Sequence, residues 1–227
     1  MALDLVSPIM QVIAYVMLLI VITTYYIRAY RQPQLRRFWL LFALSWTMNL
    51  VANIAWIAHV AMTQSALDTL SWIDLFYVTP YILIGIALWV HPAPMQQPRI
   101  WLWMGIAMLL AILCVFSLYF GYVLPESQRA FVNYINFALY PILDSGLIVL
   151  AWIRYQNTRD THWGKIALLL ACAVTSYGLG NSVEVIGYVF APVLGGFLQN
   201  FFWILRHVLV LVAAISVHKP SDVLDGQ

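Results

Sequence analysis

Charge is scarce in this chain. Eleven Lys and Arg and nine Asp and Glu are spread over 227 residues, only 9% of the total. A soluble domain carries about 25% charged residues, so a soluble globular domain is excluded. So is a basic stripe for nucleic acid. Cysteine is nearly absent: Cys114 and Cys172 both lie in apolar runs. They exclude a disulfide framework and read as buried small hydrophobes. No glycine-rich phosphate loop is present. The last apolar run lacks a lysine for a retinal Schiff base, since Lys219 stands at its edge. Of five histidines only His207 is deep, while His59, His91, His162 and His218 lie near ends or loops. Paired haem ligands are therefore missing. A seven-helix zinc hydrolase needs two histidines one turn apart on its last helix, and His207 and His218 are eleven residues apart. No catalytic residue, metal site or cofactor is expected, and the chain does not read as an enzyme.

What is present is apolar and aromatic. The chain is 63% hydrophobic, with ten Trp, thirteen Tyr and eleven Phe to line two membrane interfaces. Seven runs are long enough to cross a bilayer as helices. They are Met10–Tyr30, Trp39–Val60, Leu70–Val90, Ile100–Val123, Val132–Tyr155, Ile166–Val189 and Gln199–His218. The first run has no basic leader and no small-residue cleavage site, so no removable signal peptide is expected. A Pro-Gly turn is expected before the last span.

Basic residues fix an expected orientation. The odd loops and the C-terminus hold Arg28, Arg31, Arg36, Arg37, Arg99, Arg154, Arg159, Lys165 and Lys219, and the even loops hold only Arg129. Such asymmetry predicts the N-terminus outside and the C-terminus in the cytoplasm. The expected fold class is an all-α membrane protein of seven transmembrane helices. Residues 1–227 form one transmembrane domain with no soluble domain, multi-pass in a bacterial inner membrane.

Three segments repeat in order. WTMNLVANIAWIAHV is echoed by VTSYGLGNSVEVIGYV, so that Thr47 meets Thr175 and Asn53 meets Asn181. IRAYR is echoed by IRYQ, and WVHP by VHKP. This predicts a 3+1+3 parallel internal repeat, with units at about 9–91 and 132–219 and a linker helix at about 100–123.

The last span carries one polar stripe, Gln199, Asn200, Trp203, Arg206 and His207, at spacings of three, four and seven residues. A helix puts them on one face. An arginine inside a spanning helix costs roughly 2.5–3.5 kcal/mol on insertion scales, so it needs an interior partner. Other spans offer faces of the same kind: Gln11 and Tyr15; Asn49, Asn53 and Trp56; Asp74, Tyr77 and Tyr81; Asn133, Phe137, Tyr140 and Asp144; Tyr177, Asn181 and Glu184. Counted from the outer ends at ~1.5 Å per residue, Asp74 and Glu184 fall about one turn in. Arg206 and His207 fall about two turns in, and Asp144 near the middle. Span four has almost nothing polar and is expected to face lipid.

The predicted ligand site comprises Asn53, Asp74, Tyr77, Asp144, Asn181, Glu184, Arg206 and His207, walled by Trp56, Tyr140 and Trp203. It forms a cup open to the outer side, with Arg206 paired to Glu184 or Asp74. The bland alternative is that Asn49, Asn133 and Thr175 only hold helices together, at about 0.6 kcal/mol per bond. A purely structural Arg206–carboxylate pair is the corresponding alternative for the ions.

Two passages carry a resemblance. WIDLFYVTPYILIGIALW and YPILDSGLIVLAWI, through Asp74, Tyr77, Pro80, Tyr140, Pro141 and Asp144, resemble the multispan sensory regions N-terminal to bacterial GGDEF-type diguanylate cyclases and some histidine kinases. The resemblance implies a receptor-like sensor module that signals to a cytoplasmic protein or to an output domain beyond Gln227. A second resemblance, in length, topology and parallel repeats, is to sugar transporters of the three-one-three type. Expected partners are the lipid bilayer, a small and partly apolar ligand, and a cytoplasmic signalling domain or protein, with a homodimer left open and no nucleic acid. A small-solute transporter and a structural subunit of a membrane complex are the alternatives.

Overall fold

The computed structural model describes residues 2–64, 71–90, 100–118, 130–161, 163–190 and 192–216. Side chains at 2–8, 34, 100–101, 115–118, 130–138, 184–190 and 192–193 are excepted. All the secondary structure among the described residues is helical, an arrangement that pairs each segment's backbone groups internally. The helices are α1 (Ala2–Arg31), α2 (Arg36–Thr63), α3 (Trp72–Trp89), α4 (Ile100–Leu118), α5 (Ala130–Thr158), α6 (Gly164–Phe190) and α7 (Pro192–Ile215), with a 3-10 turn at Pro33–Leu35. Five of them are long and apolar enough to span a membrane: α1, α2, α3, α6 and α7.

Local chemistry explains the ends. Gln64 adopts the left-handed conformation (φ 57°, ψ 20°) and closes α2 through its N–H to the Val60 carbonyl. Ser71 and Asp74 form a capping box that starts α3. At the α1–α2 turn, buried Gln32 accepts from Trp39 Nε1 at 2.7 Å. The expected Pro-Gly turn before the last span is not seen: Pro192 begins α7, and Gly195 and Gly196 lie within it. Proline is tolerated there because the first helical N–H has no intrahelical partner to lose.

Six helices pack as a closed ring. Around it α1 touches α2, α2 touches α3, α3 touches α5, α5 touches α6, α6 touches α7, and α7 returns to α1. Helix α4 stands outside the ring against α5. Its Leu102, Trp103, Leu109, Leu110 and Leu113 are exposed. Residues 119–123, expected to end span four, lie outside the described residues.

One end of the ring is plugged. Tyr25, Phe38, Trp39 and Phe42 pack ring on ring, and Trp163 joins through Phe38. All five are buried. This is the end where α1 finishes and α2 and α6 begin.

Arg154 was expected in a basic loop. It is instead in the last turns of α5 and 1% exposed. Its Nε and Nη2 donate to the Leu88 carbonyl at 2.9 and 2.7 Å, and Nη2 also to that of Trp89 at 3.3 Å. Those carbonyls end α3, where a helix has unpaired acceptors and a negative dipole end. Arg28 of α1 makes the corresponding contact to α7, with Nη2 3.3 Å from the Ile215 carbonyl.

Candidate functional site

The polar side chains meet at the waist of the ring. Asp144 stands fourteen residues from each end of α5 (144 − 130 and 158 − 144). Tyr177 stands thirteen from each end of α6 (177 − 164 and 190 − 177). Arg206 follows the start of α7 by fourteen residues (206 − 192) and precedes its end by nine (215 − 206). At 1.5 Å per residue, Arg206 is about 21 Å below the start of α7, not two turns. The early start of α7 at Pro192 is the reason. The deep ions are therefore in a middle layer, not gathered in one half.

Asp144 is 5% exposed and anchors a triangle. Tyr81 OH donates to Asp144 Oδ1 at 2.9 Å. Asn181 Nδ2 donates to Asp144 Oδ2 at 2.9 Å and to Tyr81 OH at 3.1 Å. Three helices, α3, α5 and α6, are joined by three mutually satisfied groups. Gly178 leaves the room: a Cβ there would lie 3.3 Å from Asp144 Cβ and 2.9 Å from Ile148 Cδ1.

A second cluster centres on Asn53. Its Nδ2 donates to the Asn49 carbonyl at 2.7 Å and to Asn49 Oδ1 at 3.3 Å. Its Oδ1 accepts long bonds from Tyr15 and Tyr77, both at 3.5 Å. These tie α2 to α1 and α3.

Asp74 has a humbler placement than expected. Its Oδ2 accepts from Ser71 N at 2.7 Å and from Ser71 Oγ at 3.2 Å, and its Oδ1 accepts from Tyr140 OH. The pattern Ser71-x-x-Asp74 was legible in the sequence as a capping box. Trp56 is 38% exposed on the outside of α2 and lines neither of the cavities below. The Glu184 side chain, like those of Asn133 and Phe137, lies outside the described residues.

Arg206 has no carboxylate partner among the described residues. The ion pair found there is Arg159–Asp160, on the surface. Neither Asp74 nor Asp144 comes within 4 Å of the guanidinium; Asp74 is held by Ser71 and Tyr140, and Asp144 by Tyr81 and Asn181. Arg206 instead lies between two aromatic faces, its Cζ 4.1 Å from the Tyr177 ring centroid and 4.5 Å from that of Trp46. Its Nη2 donates to His207 Nε2 at 3.1 Å. A guanidinium cannot accept a hydrogen bond, so His207 holds its proton on Nδ1. Each desolvated ring face contributes about 2 kcal/mol. Burying a guanidinium costs several kcal/mol, so the rings offset only part of it.

Two small cavities flank this arginine, sharing Asn49, Tyr177 and Arg206 as their partition. The first, about 30 Å³, lies toward the aromatic plug and has mostly apolar walls, among them Phe42, Ile84, Leu147 and Val210. The second, about 40 Å³, runs toward Gln11, Tyr15, Asn53, Tyr77 and Trp203. A water needs roughly 10–15 Å³ measured this way, so the first cavity has room for about two or three waters and the second for about three or four.

Of the predicted site, Asn53, Tyr77, Trp203, Arg206 and His207 line one cavity. Asp144 and Asn181 bond Tyr81, which lines the other cavity, and Asp74 with Tyr140 stands at the start of α3. Tyr81, Tyr177 and Trp46 complete the waist. The sequence reading had Tyr81 and Tyr177 on inward faces but outside the predicted site, and it overlooked Trp46. Trp46 precedes Asn49 and Asn53 by three and seven residues, a helical spacing that marks the same face. The chain matches no protein-family model, no curated protein and no solved structure.

Proposed function

We propose that this chain is a receptor-like membrane module that takes a small, partly apolar ligand into the cavities beside Arg206. The observation that carries the reading is the waist layer itself: polar groups of α2, α3, α6 and α7 line two cavities with aromatic walls, and Asp144 of α5 bonds Tyr81 at the wall of the first. Binding pockets combine apolar walls with a few convergent polar groups. The cavities are small, so a ligand larger than a few waters requires the ring to open. Such opening moves helices that end at the opposite face and offers a route for a signal to a cytoplasmic partner or output domain.

In this reading the chain crosses a bacterial inner membrane seven times, N-terminus outside and C-terminus inside. The aromatic plug then faces the cytoplasm, and the larger cavity runs toward the outer side. Thiol labelling in intact cells tests this. In a background lacking Cys114 and Cys172, Gln11→Cys should react with a membrane-impermeant reagent added outside, and Ser45→Cys should not. Equal reactivity of the two would sink the outward-facing pocket.

A small-solute transporter is the second reading, favoured by one specific feature. Arg28 on α1 reaches the end of α7 as Arg154 on α5 reaches the end of α3. The ring adjacencies also map onto themselves when α1, α2 and α3 are exchanged for α5, α6 and α7. Both features support a 3+1+3 repeat with pseudo-twofold symmetry, an architecture suited to rocking one half on the other. Solute uptake by liposomes containing only this chain would favour transport over sensing.

A further inference from the structure

The waist holds more hydrogen-bond donors than it can satisfy. Four buried nitrogen atoms find no partner among the described residues: Arg206 Nε, Trp46 Nε1, Trp203 Nε1 and His207 Nδ1. The first three are donors by chemistry, and His207 Nδ1 is a donor because its Nε2 accepts from Arg206. All four are donors, and the wall of the second cavity offers them one amide acceptor, Asn200 Oδ1. Arg206 is 5% exposed, lines both cavities, and carries a positive charge with no carboxylate in ion-pair contact among the described residues. Buried donors are normally paired, and a buried charge is normally neutralised. Tyr177 partners the guanidinium through its ring and hydroxyl but brings no negative charge, and Arg206 Nε stays unpartnered among the described residues. Asp144 accepts from Tyr81 and Asn181 and lies beyond 4 Å of the guanidinium, and Tyr15 and Tyr77 turn their hydroxyls to Asn53.

We infer that the cavities flanking Arg206 form a binding site for a small monoanion, a carboxylate or a halide, held at the partition by the guanidinium, with the Trp203 and His207 side chains on the second-cavity side and that of Trp46 on the first. Waters in the cavities and Asn200 Oδ1 can accept hydrogen bonds but bring no charge, whereas an anion supplies acceptor atoms and neutralises the guanidinium at once. The volumes of about 30 and 40 Å³ admit an ion of a few heavy atoms and exclude a large organic anion. The apolar walls of the first cavity, Ile84, Leu147 and Val210, suit a short alkyl tail behind a carboxylate head. The inference deepens the pocket reading above and rests on it only for the route by which the ion arrives.

The test uses the full chain purified in detergent, with chloride, formate, acetate and propionate as probes. Each is titrated against bulky isethionate at constant ionic strength, and tryptophan emission and melting temperature are followed. The expected result is a saturable change in both signals. A preference rising from formate to propionate would mark a carboxylate site with an alkyl subsite, and a preference for chloride would mark a halide site. Arg206→Gln should weaken the response at least tenfold. Trp203→Phe, which removes one donor and keeps the charge, should weaken it several-fold and remains informative if Arg206→Gln does not fold. Trp72→Phe, at the exposed start of α3, should leave it unchanged. No response to any probe, or a response equally strong in Arg206→Gln and Trp203→Phe, overturns the anion site. That failure is separable from failure of the outward pocket, which is read from thiol labelling without added anion. An anion response with no outer-side labelling of Gln11→Cys leaves the anion site standing and removes the proposed entrance.

Discussion

Arg154 closes the C-terminal end of α3 by placing Nε and Nη2 on one acceptor, the Leu88 carbonyl, at 2.9 and 2.7 Å. A basic residue near a membrane edge is ordinarily read as solvated. This one is buried and joins two helices that no short loop connects. Charge-assisted bonds of this kind contribute about 1.5–3 kcal/mol each. Arg154→Met should therefore lower stability by about 2–3 kcal/mol in detergent, seen as a lower melting temperature. Arg154→Lys keeps the charge but loses the fork and should fall between the two. Arg28→Met removes a longer, more exposed bond and should cost about 1 kcal/mol or less. Equal melting of the Arg154→Met and Arg28→Met proteins would refute the assignment.

The Asp144 triangle predicts coupling. Asp144→Leu leaves the Tyr81 hydroxyl and one Asn181 N–H without their acceptor, at a cost of about 2–4 kcal/mol. Adding Asn181→Leu should recover part of that loss, because one stranded donor is removed. A double variant that loses the full sum of the single losses would show that the residues do not act together.

Close packing at α6 predicts an order between two glycines. A Cβ at Gly180 would sit 2.9 Å from Trp203 Cδ1 and 3.0 Å from its Nε1. The indole is rigid, so Gly180→Ala should destabilise by about 1–3 kcal/mol and shift tryptophan emission. At Gly178 the tightest neighbour is the terminal Ile148 Cδ1, also 2.9 Å away, which can rotate aside. Gly178→Ala should be the milder change in a thermal melt, and the reverse order would contradict this packing.

Asp74 and Arg206 should behave independently. Asp74 serves the α3 capping box and Tyr140, not the guanidinium. Asp74→Ala should cost about 1 kcal/mol through the lost cap, with loss of the Tyr140 bond adding to it. Combined with Arg206→Leu, the two effects should add within about 0.5 kcal/mol. Recovery of stability in the double variant would restore a direct ion pair.

Some of this was legible without coordinates because it depends on neighbours along the chain. Helix-length apolar runs leave the backbone no other way to pair its groups, so the helices were written in composition. The polar faces of α5, α6 and α7 follow from a period of 3.6 residues, which brought Asp144, Asn181 and Arg206 inward. Other features depend on which helix meets which, and only the folded ring decided them. Closure of α7 on α1 and of α3 on α5, with α4 left outside, follows from side-chain fit between segments far apart in sequence. The same fit buried Arg154 against α3. Arg206 presents the sharpest contrast: its charge demanded a partner, and a carboxylate was the natural expectation. The tertiary structure surrounded it with the Trp46 and Tyr177 rings instead, while Asp74 went to the α3 cap and Asp144 to the triangle. Competition for a partner is settled by distances in three dimensions, and a linear spacing does not contain them.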